Sequence, residues 1–330
     1  MKRFVLTTAL CALLLGLGPE AGAAPATEDS AAFAPRAGDA PAVAEALATL
    51  AWEPGAFELT EHPGDGDADA VLAFPTARPS GEPVVDTVRL RWFRPATAED
   101  APQAAVLVIH SLHPDMPVGL GLSRALRARG IHAFLLELPG YGARVPAQRK
   151  MTGVTPLEES RMAVADVRRA YDAIAAQPGV DARRVAVQGT SLGSYFASAA
   201  AGIDGCFNRT FLLLSGGDGV GILENGQKDA YHVRGALRHY GYDTHEKLVA
   251  LIDPVEPLRL APRLDPATTW MINARNDTVV PADNARALAD AIGLDEDHRV
   301  WMAGNHYTSF LLLPGVLELM VREIEAGAQP

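Results

Sequence analysis

One stretch constrains the fold of this chain more than any other: Arg184-Val-Ala-Val-Gln-Gly-Thr-Ser-Leu-Gly-Ser-Tyr-Phe196. The short apolar run Val185 to Val187 is expected to be a buried strand, and the small residues from Ser194 to Ala201 a helix. Only Gly189-Thr190-Ser191-Leu192-Gly193 separates the two. A serine on so sharp a strand-to-helix turn sits in strained backbone, its hydroxyl exposed above the sheet and a helix N-terminus beneath it. Glycine is needed on either side, because a side chain there would collide with the neighbouring strand and helix. With 30 glycines among 330 residues, the five-residue pattern alone is a weak signal. Its weight comes from the strand before it, the helix after it, and an acid and a histidine placed in order further along the chain.

The first residues read as a targeting segment. Lys2-Arg3 supplies a charged start, Phe4 to Leu17 an apolar core, and Ala21-Gly22-Ala23 a small-residue cleavage site, with the cut expected after Ala23. No later stretch reaches the roughly 18 uninterrupted apolar residues of a membrane span. The mature chain is therefore expected to be exported, periplasmic or secreted, with no membrane insertion after cleavage. The net charge of −11 and the lack of a basic cluster argue against nucleic acid as a partner. Cleavage removes Cys11 and leaves Cys206 alone, so no intramolecular disulfide forms, and Cys206 reads as a small buried residue.

Ala24 to Ala40, rich in Ala, Pro, Asp and Ser, reads as a flexible linker. Residues 41–330 then run without another break, as one domain with a short helix at Pro41 to Leu50. Ala70 to Phe74 and Val84 to Phe93 are expected to pair as an antiparallel hairpin around Pro79, Gly81 and Pro83. From there short apolar runs alternate with helices. The strands are expected at Ala105 to Ile109, Ala133 to Leu138, Val185 to Val187, Thr210 to Leu214, Thr268 to Asn273 and Arg299 to Met302. Helices are expected at Leu120 to Arg129, Leu157 to Ala176, Ala282 to Ile292 and Pro314 to Glu325. Near-continuous apolar strands between helices imply a mostly parallel sheet of about eight strands, covered on both faces.

With these elements in place, the chain from about Ala70 to Glu325 resembles an α/β hydrolase, of the esterase and dienelactone-hydrolase-like kind. In that family a Ser, an acid and a His come in this order on loops at strand C-terminal ends. The resemblance implies Ser191 as nucleophile. Asp277, in Asn273-Ala-Arg-Asn-Asp-Thr-Val-Val-Pro281, matches the family's Asp-x-x-Val-Pro loop and is the expected acid. Asp218 in Gly216-Gly-Asp-Gly219 is the competing acid, since some hydrolases carry theirs after the preceding strand. His306, in Ala303-Gly-Asn-His306, is the one histidine of nine in the loop after the last strand, and is the expected base. The oxyanion amides are expected at Leu192 and at Leu112, where Ser111 stands in place of the family's glycine. His113 and Tyr141 are candidates for the pocket wall, and Leu138-Pro-Gly-Tyr-Gly142 resembles a structural turn. Residues 215–267 are expected to form a small cap. No cluster has metal-ligand spacing and the glycines at 216–221 lack a phosphate-loop signature, so no metal and no cofactor are expected.

The implied activity is that of an exported serine hydrolase, a carboxylesterase acting on a small-molecule ester, with a fairly open pocket for modest acyl or alcohol groups. A peptidase or amidase of the same fold and a non-catalytic hydrolase-like binding protein are the alternatives.

Overall fold

The structure is a computed structural model that describes residues 26–96, 101–147 and 154–327, so the expected leader, Met1 to Ala23, lies outside the described residues. Its first part holds β1 (Ala26–Thr27), α1 (Pro41–Leu50), β2 (Phe57–Glu58), β3 (Thr60–Pro63), β4 (Ala70–Pro75), α2 (Pro83–Asp86) and β5 (Thr87–Phe93). The alternating part begins with β6 (Gln103–Ile109), α3 (Pro117–Arg127), β7 (His132–Leu136), α4 (Pro156–Ala175), β8 (Val180–Thr190), α5 (Leu192–Asp204) and β9 (Arg209–Leu213). Four short helices come next, α6 (Gly219–Asn225), α7 (Asp229–His239), α8 (His245–Ile252) and α9 (Pro257–Leu260). The chain then closes with β10 (Thr269–Ala274), α10 (Ala282–Ile292), β11 (Arg299–Met302) and α11 (Leu313–Ala326).

Nine strands form the main sheet in the order β11-β10-β9-β8-β6-β7-β5-β4-β3. From β7 to β11 neighbours are parallel; β5, β4 and β3 are antiparallel additions. The central strand β6 is buried on both faces, which is why it reads as an unbroken apolar run. Ala105, Leu107 and Ile109 point into a core shared with α1, α4, α5 and α10. Ala104, Val106 and Val108 point the other way, into a core shared with α3 and α11.

The strand order fixes where a ligand can sit. From β6 the chain crosses to β7 on one side, then returns past β6 to β8 on the other. The C-terminal ends of β6 and β8 therefore part at a topological switch point, the crevice where open α/β sheets bind ligands. Ser191 leaves β8 there, and His110 to Pro114 leaves β6 there.

The mostly parallel sheet of about eight strands is observed with nine; the strand not expected, Thr60–Pro63, is a polar edge strand that hydrophobic patterning does not mark. Two expectations are corrected. The second hairpin strand starts at Thr87 and not Val84: Asp86 accepts from the Ser80 and Gly81 N–H groups at 2.8 Å and the Ser80 hydroxyl at 2.6 Å, winding Pro83–Asp86 into a helical turn. The segment read as a flexible linker is tied down over its described part. Ala26–Thr27 pairs with Phe57–Glu58, Asp29 bonds Arg169 at 2.7 Å, and the Ser30 hydroxyl donates to Asp172 at 2.5 Å. Arg36 donates to the carbonyls of Asp204 and Arg263, and Arg263 pairs with Asp39. Most of these anchors are buried or half-buried ion pairs and hydrogen bonds, so a composition poor in large apolar residues still holds the segment to α4, α5 and the turn at Arg263.

Candidate active site

Ser191 sits at φ 52°, ψ −114°, a region that L residues enter at a cost of about 1–3 kcal/mol. The surroundings over-determine it. Its N–H donates to the Leu213 carbonyl at 2.8 Å, and the Ser194 hydroxyl donates to its carbonyl at 2.6 Å. The flanking glycines are required by close approach: a Cβ on Gly189 would lie 2.5 Å from Ser194 Cα, and one on Gly193 would lie 2.6 Å from the His110 carbonyl oxygen.

Two loops bring their side chains to this turn. His306 Nε2 is 3.0 Å from Ser191 Oγ, and His306 Nδ1 is 2.7 Å from Asp277 Oδ2. The other Asp277 oxygen accepts the N–H groups of Val279 at 2.8 Å and Val280 at 3.0 Å, which aims the carboxylate. An ionised carboxylate only accepts, so Nδ1 carries the imidazole proton and the Nε2 lone pair faces the serine hydroxyl. Gly304 at φ 96° turns the chain after β11, and Asn305 Oδ1 accepts from the N–H groups of Tyr307 and Thr308, holding His306 between them. His306 and Asp277 are both buried. Asp218, the competing acid, caps α6 by accepting the Gly221 N–H at 2.9 Å and does not meet His306.

The loop after β6 owes its shape to His110, a role that sequence reasoning missed. His110 is fully buried; its Nδ1–H donates to the Ser111 carbonyl at 2.8 Å, and its Nε2 accepts the Leu138 N–H at 3.3 Å. Burial pushes its imidazole down to about 4, against the Ser111 carbonyl that favours the charged form. The His113 N–H also donates to the Ser111 oxygen, at 2.8 Å. The Ser111–Leu112 peptide is trans, so with its oxygen held on one side its N–H points to the other. Neither the Leu112 nor the Leu192 N–H has a hydrogen-bond partner among the described residues. The signal in the sequence was a histidine ending an otherwise apolar strand. Tyr141 packs on that imidazole, with ring centroids 4.6 Å apart.

Ser191 opens into two chambers. The one called inner, about 200 Å³, is partly open to solvent and lined mostly by carbon, from Leu192, Tyr195 and Phe196 of α5 and from side chains of α6, α7 and α8. The outer one, about 210 Å³, is bordered by His113, His306, Tyr307 and Phe310. Leu112, Leu214 and Asp229 border both and form the waist between them. Leu214 is also held at positive φ, 52°, by its N–H bond to the Ile272 carbonyl. Burial and the neighbouring Asp229 carboxylate push the Tyr307 hydroxyl up to about 12.

The helices over the inner chamber are pinned through Glu256. Its carboxylate accepts the N–H groups of Asp218, Gly219 and Leu258 at 2.8–3.1 Å and the Tyr195 hydroxyl at 3.3 Å. Burial nevertheless holds that carboxyl above its ordinary range. Among the described residues, no group of His, Cys, Asp and Glu could hold a metal ion, and no helix is long and apolar enough to cross a membrane.

No protein-family model and no curated protein matches the chain. Solved structures do. Acetyl xylan esterase from Paenibacillus sp. R4 is 18% identical with a TM-score of 0.62, over 89% of this chain and 97% of that one. Acetyl xylan esterase 1 from Thermoanaerobacterium sp. JW/SL YS485 is 17% identical with a TM-score of 0.60, over 85% and 94%. The α/β hydrolase GrgF from Penicillium sp. sh18 is 14% identical with a TM-score of 0.54, over 82% and 98%. At such identities the likeness speaks to architecture, and it agrees with the sheet order and the strand-turn-helix at Ser191. The chain has the fold of the α/β hydrolases.

Proposed function

We propose that the protein is a serine hydrolase that cleaves carboxylic esters through an acyl-enzyme on Ser191. The observation that carries this reading is the hydrogen-bond chain Ser191–His306–Asp277, at 3.0 and 2.7 Å, ending on a strained serine that faces two chambers. In the reaction His306 Nε2 takes the Ser191 proton while Oγ adds to the ester carbonyl. The resulting oxyanion is received by the Leu192 and Leu112 N–H groups, both free of other partners among the described residues. Asp277 keeps the imidazole oriented and stabilises the imidazolium. As the carbonyl re-forms, the C–O bond to the alcohol breaks and Nε2 protonates the departing oxygen. Water then gives a proton to Nε2 while its oxygen attacks the acyl carbon; the acid leaves and Ser191 regains its proton.

The names of two similar structures, both acetyl xylan esterases, support ester over amide as the scissile bond. Met1 to Ala23 is read as an export signal, so the mature chain would begin at Ala24 and act in the periplasm or outside the cell; the mass of the protein recovered from those fractions tests this. For the activity, the experiment is hydrolysis of p-nitrophenyl esters by wild type and Ser191→Ala. Wild-type turnover with a loss of about 10⁴-fold or more in the variant supports the reading. Equal rates in the two proteins would refute it.

A further inference from the structure

The two chambers differ in which catalytic group borders them, and this assigns the two halves of the ester. His306 lines the outer chamber and not the inner one, whereas Leu192 lines the inner chamber and not the outer. The assignment rests on Ser191 being the nucleophile: His306 must then hand its proton to the leaving oxygen, so the alcohol departs through the outer chamber and the acyl chain lies in the inner one.

The inner chamber's chemistry then defines that chain. Phe196, Leu223, Val233, Leu237, Leu251 and Ile252 supply hydrocarbon from four helices. The hydroxyl groups in its wall other than Ser191 are already committed to the protein: Tyr195 to Glu256, Ser160 to the Pro156 carbonyl, and Ser194 to the Ser191 carbonyl. Apart from Asp229 at the waist, no charged side chain lines it, and these hydroxyls have no proton left to donate to a polar acyl substituent. A dry apolar cavity of about 150 Å³ accommodates benzene, six carbons, so one of about 200 Å³ has room for roughly eight. We propose that the preferred substrates are esters of unsubstituted medium-chain acids of about eight carbons, and that acetyl groups leave most of the inner chamber unfilled. The short helices α6, α7 and α8 thus border room for a longer acyl chain than the length of residues 215–267 suggests.

Kinetics on p-nitrophenyl acetate, butyrate, octanoate, dodecanoate and palmitate test this, with fluorophosphonate labelling of Ser191 as an independent report on the nucleophile. The expected result is kcat/KM rising about threefold per added methylene, to an octanoate-to-acetate ratio on the order of 10²–10³, then falling once the chain outgrows the chamber. Val233→Trp should cut the octanoate-to-acetate ratio at least about 30-fold by filling the chamber. Val233→Ala, which adds space without adding bulk, should move the optimum toward dodecanoate. A labelled enzyme that turns over only amides overturns the ester reading as well as the chain-length assignment, whereas one that turns over acetate as fast as octanoate overturns the chain-length assignment alone. So does an octanoate-to-acetate ratio that neither variant moves. A protein that neither labels nor hydrolyses any ester overturns the serine-hydrolase reading with it.

Discussion

Gly193 lies against the end of β6 so closely that a Cβ on it would overlap the Ile109 carbonyl oxygen. Both partners are backbone, so neither can swing aside. Gly193→Ala must push α5 away from β6 and with it the Ser191 turn. The expected outcome is a loss of stability of about 2 kcal/mol or more, visible as a lowered Tm, together with loss of ester hydrolysis. An alanine variant with wild-type Tm and activity would show that the turn has slack.

Asp277→Asn keeps the shape of the loop but offers His306 an amide in place of a carboxylate. The imidazole then loses the group that fixes its tautomer and stabilises its cation. A kcat loss of about 10⁴-fold with little change in Tm is expected. Steady-state kinetics alongside thermal unfolding checks it, and a loss under tenfold would show that Asp277 is not the acid that serves His306.

His110 gives the protein a specific pH dependence of stability. Its pKa, ordinarily 6.5, falls to about 4 in the folded state because burial disfavours the cation. Between these values the unfolded chain binds more protons than the folded one, so stability rises with pH across that window. The contribution is fully present above about 6.5 and is lost as pH falls to 4, a change of about 3 kcal/mol. Urea unfolding at pH 7 and pH 4 should show wild type losing about that much more than His110→Gln. Parallel losses in the two proteins would contradict it. The same variant releases the Ser111 carbonyl, and kcat at pH 7 is expected to fall about 10- to 100-fold with the Leu112 amide no longer aimed.

Glu256 ties three backbone N–H groups and the Tyr195 hydroxyl to one carboxylate. Glu256→Ala strands these buried donors, at about 1–3 kcal/mol for each that water does not reach. The helices from Gly219 to Leu260 should loosen first, so limited proteolysis is expected to nick this segment in the variant before any other. Cleavage at the same sites and rates as wild type would show that the cap is held by its apolar contacts alone.

The apolar strands and the long helices were legible because burial on two faces, or on one stripe, writes itself into local periodicity. Ser191, Asp277 and His306 were singled out because the chain resembles a family that carries its Ser, acid and His in this order on loops after strands, and the structure brings the three side chains within hydrogen-bond distance. What escaped depends on partners far along the chain. Thr60–Pro63 becomes a strand by pairing with β4, without any hydrophobic pattern of its own. The segment before α1 looked unstructured because its anchors, such as Arg169 for Asp29, are ionic and 140 residues away. The part His110 plays was not read from the sequence, because it rests on burial and on the Leu138 N–H. The two chambers were invisible because their walls come from helices too short to announce which faces meet.

The central claim is that Ser191 is a nucleophile activated by His306. Its most direct measurement is the intact mass and peptide map of the protein after reaction with a fluorophosphonate, for wild type, Ser191→Ala and His306→Ala. One adduct per chain on Ser191 in wild type, none in Ser191→Ala and a labelling rate reduced about 10³-fold or more in His306→Ala is the expected result. An unmodified wild type, or an adduct that persists when Ser191 is replaced, would contradict it.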